Sequence, residues 1–243
     1  MLHNPLDPPL LQPLWDALVR LVGVDALANP LFFVVAVMTT VVVAGLGFSI
    51  VDVFITRKQR LREAALYLLI TLPGYLAAFV LLQLLPACVR VEVPTSAPTL
   101  LAFTRDLVLC LVVGDLLSYG WHRIEHASRF VWRNVHHVHH QVKRPLTVWS
   151  GFYVHPVESL CVFITFYIYP LVAGVHPLVF VAYAAANTFI TMVTHCGYDL
   201  PLFPNKLLAS APMHELHHGG GKPTNFCVLL TLGDRLFGTF KRP

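Results

Sequence analysis

Residues 26–51 read ALANPLFFVVAVMTTVVVAGLGFSIV and residues 64–89 read AALYLLITLPGYLAAFVLLQLLPACV, and neither stretch contains Asp, Glu, Lys or Arg. Each is 26 residues long, where roughly 20 apolar residues suffice for a helix to cross the hydrocarbon layer. Inside that layer only helices and closed barrels satisfy their own backbone groups, so both stretches predict spanning helices. A third candidate runs from Thr99 to Trp121 and contains Arg105, Asp106 and Asp115. From Ser159 to Tyr198 there is again no charged residue, enough for two short helices broken at Gly174-Val175-His176-Pro177. The fold class expected is therefore all-α: an integral membrane bundle of three long spans plus a short helical hairpin, under a histidine-rich helical cap. Residues 10–22 (LLQPLWDALVRLV) suit an amphipathic helix at the interface or a lead-in to the first span. The chain reads as one domain, with N-terminal helices in 1–98 and the chemistry in 99–243.

Composition points the same way. The chain is 56% hydrophobic and 12% charged, with a mean hydropathy of +0.65, whereas a soluble domain carries about 25% charged residues. The five cysteines (Cys88, Cys110, Cys161, Cys196, Cys227) are scattered and form no C-x-x-C, so they read as reduced apolar fillers. A net charge of +4 is not a nucleic-acid signature here, because the basic residues gather beside the spans. Arg57, Lys58, Arg60 and Arg62 fill the loop after the first span and mark it cytoplasmic. Residues 87–98 carry only Arg90 and Glu92 and suit the opposite side. The third span then returns to the cytoplasm, where Arg123, Arg129, Arg133, Lys143 and Arg144 follow it. The hairpin delivers Lys206, Lys222, Arg235, Lys241 and Arg242 to that same side. No secretory leader is expected. The localisation expected is a multi-pass membrane protein, a bacterial inner membrane fitting better than an endoplasmic reticulum.

Twelve of the thirteen histidines fall between residues 122 and 218. They form His122-x-x-x-His126, His136-x-x-His139-His140 and His214-x-x-His217-His218, with His155 and His195 between the second and third groups. On a regular helix, positions i, i+3 and i+4 share an arc of about 100°, so each group aims its imidazoles one way. On that geometry His137 points away from its neighbours. Imidazole suits iron, zinc, copper and nickel. Ten histidines exceed what one four-coordinate zinc takes, so two metal ions are expected. The candidate ligands are His122, His126, His136, His139, His140, His155, His195, His214, His217 and His218. His3 and His176 fall outside the set. Asp115, Glu125, Glu158, Glu215 and Asp234 are the carboxylates within reach. A buried Asp115 inside an apolar helix is a functional candidate by default, either orienting a histidine or making a helix–helix hydrogen bond.

These motifs resemble the fatty acid hydroxylase and sterol desaturase superfamily, integral-membrane non-haem di-iron enzymes. The resemblance covers residues 105–240 and includes His155-Pro156-x-Glu158, His195-x-Gly197-Tyr198-Asp199-x-Pro201, Asn225-Phe226 and Asp234-x-x-Phe237-Gly238-Thr239. Those details look most like the C-4 methylsterol oxidase, sterol desaturase and cholesterol hydroxylase branch. The Gly219–Lys222 run departs from the family pattern. The resemblance implies two iron ions, O2 as co-substrate, and hydroxylation or desaturation of a lipid entering from the bilayer, with Asp115, Glu158 and Asn225 as catalytic candidates. It also implies an external electron donor of cytochrome b5, ferredoxin or rubredoxin type with its reductase, since the chain has no Rossmann glycines and no haem or iron–sulfur motif. Two other classes fit parts of the pattern. His214-Glu215-x-x-His218 (within H-E-L-H-H) satisfies the zinc-protease motif with Glu215 as base, and a metal transporter would line a pathway with histidines.

Overall fold

Leu31–Thr56 and Leu61–Leu84 form the two longest uncharged-core helices, α3 and α4, in the computed structural model. The structure describes residues 10–29, 31–56, 61–84, 92–200, 207–219 and 221–243. His3, Arg57, Lys58, Arg60, Cys88, Arg90, Pro201, Lys206 and Gly220 lie outside the described residues. Ahead of α3 come α1 (Gln12–Val22) and the short α2 (Val24–Leu27). After α4 come α5 (Leu100–Ala127), α6 (Arg129–Val131), α7 (Pro156–Val172), α8 (Pro177–His195), α9 (Ala211–His218) and α10 (Leu232–Leu236). Among the described residues all repetitive structure is helical, and β pairing is limited to one isolated bridge between Leu208 and Leu230.

Among the described residues three helices are long and apolar enough to cross a membrane: α3 at Leu31–Val51, α4 at Ala65–Leu82 and α8 at Pro177–His195. The membership differs from the sequence expectation in one respect. The segment expected as the third span is one continuous helix, α5, in which Arg105, Asp106 and Asp115 lower the apolarity, whereas α8, expected as half of the hairpin, is itself long and apolar enough to cross. α7 is apolar and shorter, so α7 and α8 make the expected hairpin, turning at Gly174 with φ +60°. Val43, Ile50, Leu69 and Leu76 stand exposed on α3 and α4, as lipid-facing side chains must.

The helices pack as α5 on α7, α3 on α8 and α4 on α7. Two glycines permit close approach. A Cβ at Gly74 would collide with Ser159 and Pro156, bringing α4 hard against α7, and one at Gly45 would meet the Trp149 ring. Trp149 is anchored by donating its indole N–H to Ser49 Oγ at 2.8 Å. Cross-contacts fix the direction of each helix. Phe33 meets Phe180 and Thr40 meets Thr188, so α3 runs parallel to α8. Tyr67 meets Tyr153 and Tyr75 meets Phe163, so α4 runs parallel to α7. The end of α3, the start of α4, the end of α5, the start of α7 and the end of α8 therefore share one end of the bundle. The other end joins Trp15 to the Pro94 carbonyl and His176 to the Ser96 carbonyl.

Candidate metal centre

At the first of those ends, α5 projects past its apolar stretch and carries His122 and His126 one turn apart. The chain then turns through α6 into a π-helical turn, Trp132–His136, closed by His137 N–H on the Trp132 carbonyl at 2.9 Å. A 3-10 turn follows at His139–Gln141. α9 supplies His214, His217 and His218, and α8 ends on His195. The expectation that one regular helix aligns His136, His139 and His140 is therefore corrected. An i→i+5 turn advances each residue by less than 100°, so this segment is not one regular helix, and its histidines divide between two clusters as those of α9 do.

Nine of the ten candidate histidines fall into two sets. The first is His122, His126, His136, His140 and His217; the second is His139, His195, His214 and His218; within each, one ring nitrogen per residue lies within 4.8 Å of the others. Both triplets divide alike: the i, i+4 pair joins one set and the i+3 residue joins the other. In the first set four Nε2 atoms close a ring, His126–His136 at 3.1 Å, His136–His140 at 3.1 Å, His140–His217 at 3.2 Å and His217–His126 at 3.1 Å. A square of that edge has its centre about 2.2 Å from each nitrogen, against roughly 2.0–2.1 Å for an imidazole–zinc bond. His122 Nε2 is buried with no partner. In the second set His218 Nε2 lies 3.1 Å from His139 Nε2 and 3.2 Å from His214 Nε2, and His195 Nε2 is buried and unpartnered.

For four of these rings the far side explains why Nε2 is free. Nδ1 of His122 faces the Phe226 carbonyl at 2.7 Å, that of His217 the Thr224 carbonyl at 2.8 Å and that of His195 the Thr191 carbonyl at 2.8 Å. A carbonyl only accepts, so each Nδ1 carries the proton and Nε2 keeps its lone pair. His136 Nδ1 donates to Glu158 Oε1 at 2.9 Å, with Glu125 Oε2 at 3.5 Å. Such partners orient metal-binding histidines and raise their basicity. Burial, reinforced by neighbouring imidazoles, pulls His126 down to about 2, His140 to about 3 and His218 to about 2. Burial also lowers His122 to about 4 and holds His136, His139, His214 and His217 well below the ordinary histidine value. Neutral, desolvated imidazoles with converging lone pairs are the donor set of a transition metal, and the residues fit two such ions.

His155 is the exception. Its Nδ1 accepts the Val157 N–H at 3.2 Å and caps α7, and it joins neither set. The cap consumes its Nδ1 at the helix start. Asp115 is buried and accepts the Leu229 N–H at 3.1 Å, holding the loop before α10 rather than a histidine. Asn225 bonds to backbone groups as well. At φ +56° its amide donates to the Met213 and Lys241 carbonyls and accepts the Lys241 N–H. Asp234 accepts from Phe226 and Cys227 N–H, both at 2.9 Å, and from the Thr239 hydroxyl at 2.7 Å. Together Asn225 and Asp234 shape the loop whose carbonyls face His217 and His122. Glu215 accepts from the Leu146 N–H at 3.3 Å. His137 joins neither set.

Sequence reasoning missed the carbonyls of Thr224 and Phe226, because backbone groups have no residue signature. It also missed Trp132, whose ring centroid lies 4.9 Å from His126, 5.0 Å from His140 and 5.7 Å from His136. Two cavities flank the histidines. One of about 440 Å³ is lined by His126, Trp132, His140, Lys143 and His217. The other, about 70 Å³, lies on the apolar side against His122, His136, His195, His214, Val162 and Phe166.

The family model described as "Fatty acid hydroxylase" matches residues 107–239. A Cholesterol 25-hydroxylase-like protein of Danio rerio is 33% identical over 152 residues, 59% of this chain and 59% of that protein. Methylsterol monooxygenase 1-1 of Arabidopsis thaliana is 28% identical, over 80% of this chain and 64% of that protein. Cholesterol 25-hydroxylase of Homo sapiens is 27% identical, over 98% of this chain and 96% of that protein. No solved structure matches the chain. The chain belongs to the fatty acid hydroxylase family of oxidoreductases, and it is a membrane protein.

Proposed function

We propose that this member of the fatty acid hydroxylase family is an O2-dependent non-haem di-iron oxygenase acting on an unactivated C–H bond of a membrane lipid. The single observation that carries the reading is the pair of converging, neutral histidine sets at one end of an apolar bundle. His122, His126, His136, His140 and His217 would hold one iron and His139, His195, His214 and His218 the other. Imidazole alone does not select iron over zinc; membership in the fatty acid hydroxylase family supports iron. Bound iron would supply the O2 activation and redox chemistry, which is the cofactor's own. The relatives named for cholesterol and methylsterols support a sterol-like substrate.

Hydroxylation consumes R–H, O2, two electrons and two protons, and yields R–OH and water; desaturation consumes the same and yields an alkene and two waters. The electrons come from outside, from a donor of cytochrome b5, ferredoxin or rubredoxin type. The chain's own residues position and exclude. Glu158 and Glu125 fix the His136 ring, and the Thr224 and Phe226 carbonyls fix His217 and His122. Val154, Val162 and Phe166 wall the cavity on the lipid side, keeping water from the reacting carbon. The lysine and arginine bias supports a cytoplasmic histidine end.

Elemental analysis of chain purified from an iron-replete, zinc-limited host tests the reading. About two irons per chain are expected, with lipid oxidation that stops under an iron chelator. One tightly held zinc with activity surviving chelation would turn the assignment toward a protease. Glu215 does not favour that alternative, because its carboxylate is engaged by Leu146 N–H. A transporter would need ligands spread through the membrane depth, and these are gathered at one end.

A further inference from the structure

Between α3, α4, α7 and α8 lies another cavity of about 70 Å³, inside the apolar part of the bundle. Gly151, Val154, Val162, Phe166 and Thr191 line both this cavity and the one against the histidines, so the two meet. A single water takes roughly 10–15 Å³ on the same scale, which leaves room here for several heavy atoms. Most polar groups on the wall are already used. Ser159 Oγ donates to the Thr71 carbonyl, Thr188 Oγ1 pairs with Thr40 Oγ1 at 3.0 Å, and the Tyr167 hydroxyl accepts from Asn187 Nδ2 at 3.1 Å. Asn187 Oδ1 is different. The residue is 4% exposed and this oxygen has no partner. An unmet acceptor buried in an apolar setting is destabilising, and polar side chains at membrane depth mark functional positions.

The geometry points to Asn187 as the acceptor for a hydroxyl group of the lipid substrate, held in the bundle while a remote carbon reaches the histidines. The assignment rests on the oxygenase reading above and names its substrate class: a lipid alcohol. Asn187 and His195 stand on the same helix eight residues apart, which at roughly 1.5 Å per residue is about 12 Å. Oxidation therefore falls about a nanometre from the hydroxyl, not on the carbon beside it. A free fatty acid is disfavoured. Its ionised carboxylate brings no donor for Oδ1 and places an unpaired charge in an apolar cavity, and it donates only once neutralised. A sterol and a long-chain primary alcohol both carry the required group.

Binding to the full metal-loaded chain in lipid nanodiscs is measured with cholesterol, cholesteryl methyl ether, 1-hexadecanol and its methyl ether. At least one alcohol is expected to bind tenfold or more tightly than its own ether, and the pair that discriminates identifies the source of the hydroxyl. Asn187→Leu is expected to remove that preference while changing ether affinity less than twofold. Equal binding of alcohol and ether in both pairs overturns the assignment, as does an equal loss of both ligands in Asn187→Leu. Tyr167→Phe removes only the partner of Asn187 Nδ2 and should keep the preference; losing it there would transfer the role from Asn187 to the network and overturn the assignment as well. Iron content and O2 uptake of the same wild-type preparation report on the oxygenase reading separately. Alcohol preference without iron supports the hydroxyl site and rejects that reading; iron-dependent O2 uptake without preference does the reverse.

Discussion

His136 links the four-nitrogen ring to the carboxylates behind it. Its Nε2 sits in the four-nitrogen ring and its Nδ1 donates to Glu158. His155, nineteen residues later, spends its ring on a helix cap. Elemental analysis of the two alanine variants should therefore separate them: His136→Ala loses metal and activity, and His155→Ala keeps both ions. Equal metal loss in the two would mean that the α7 cap opens to coordinate. Glu158→Gln keeps the shape of the side chain but removes the negative acceptor behind the ring. Loss of such a partner weakens metal binding by about 10- to 100-fold, read as a lower chelator concentration at half-removal. Unchanged retention would assign the orienting role to Glu125, at 3.5 Å from the same nitrogen.

At the scale of elements, position is set by close approach as much as by hydrophobic area. Gly74 lets α4 lie against Ser159 and Pro156 at the start of α7. α7 in turn carries Glu158, so an error in this contact is transmitted to His136. Gly74→Leu must push backbone against backbone, since the Pro156 carbonyl cannot swing aside as a side-chain end can. Overpacking of this kind costs about 1–3 kcal/mol, and thermal unfolding in detergent should show it as a lower Tm with reduced iron retention. An unchanged Tm would show that α4 is loosely held. The π turn at Trp132–His136 is the other decisive element. With the 3-10 turn after it, it delivers His136 and His140 to one set and His139 to the other.

For the whole molecule the consequence is polarity from end to end. The end of α3, the start of α4, all nine clustered histidines and the basic residues after α5 share one end, while Trp15, Pro94 and the α7–α8 turn share the other. A cysteine placed at Lys222 should be labelled only from the cytoplasmic side of sealed vesicles, and one at Gly174 only from the opposite side. Labelling of both from one side would mean that the α7–α8 hairpin re-enters without crossing. α3 and α4 pack directly on the helices that carry the site.

The sequence by itself determined the class of solvent and the class of chemistry. Uncharged runs of 26 residues dictate helices in lipid, and histidines at i, i+3 and i+4 dictate converging nitrogen donors, because both signals are local and periodic. It also marked Asn225 and Asp234 through the family resemblance, without revealing that they shape a carbonyl-bearing loop. Only the tertiary structure decided which histidines meet. Partition of each triplet between two sets depends on α9 docking against an irregular turn some 80 residues away in sequence, and no local period encodes that. It likewise placed the His155 ring on a helix cap and isolated the Asn187 carbonyl, since whether a polar atom finds a partner depends on what the other helices bring to it.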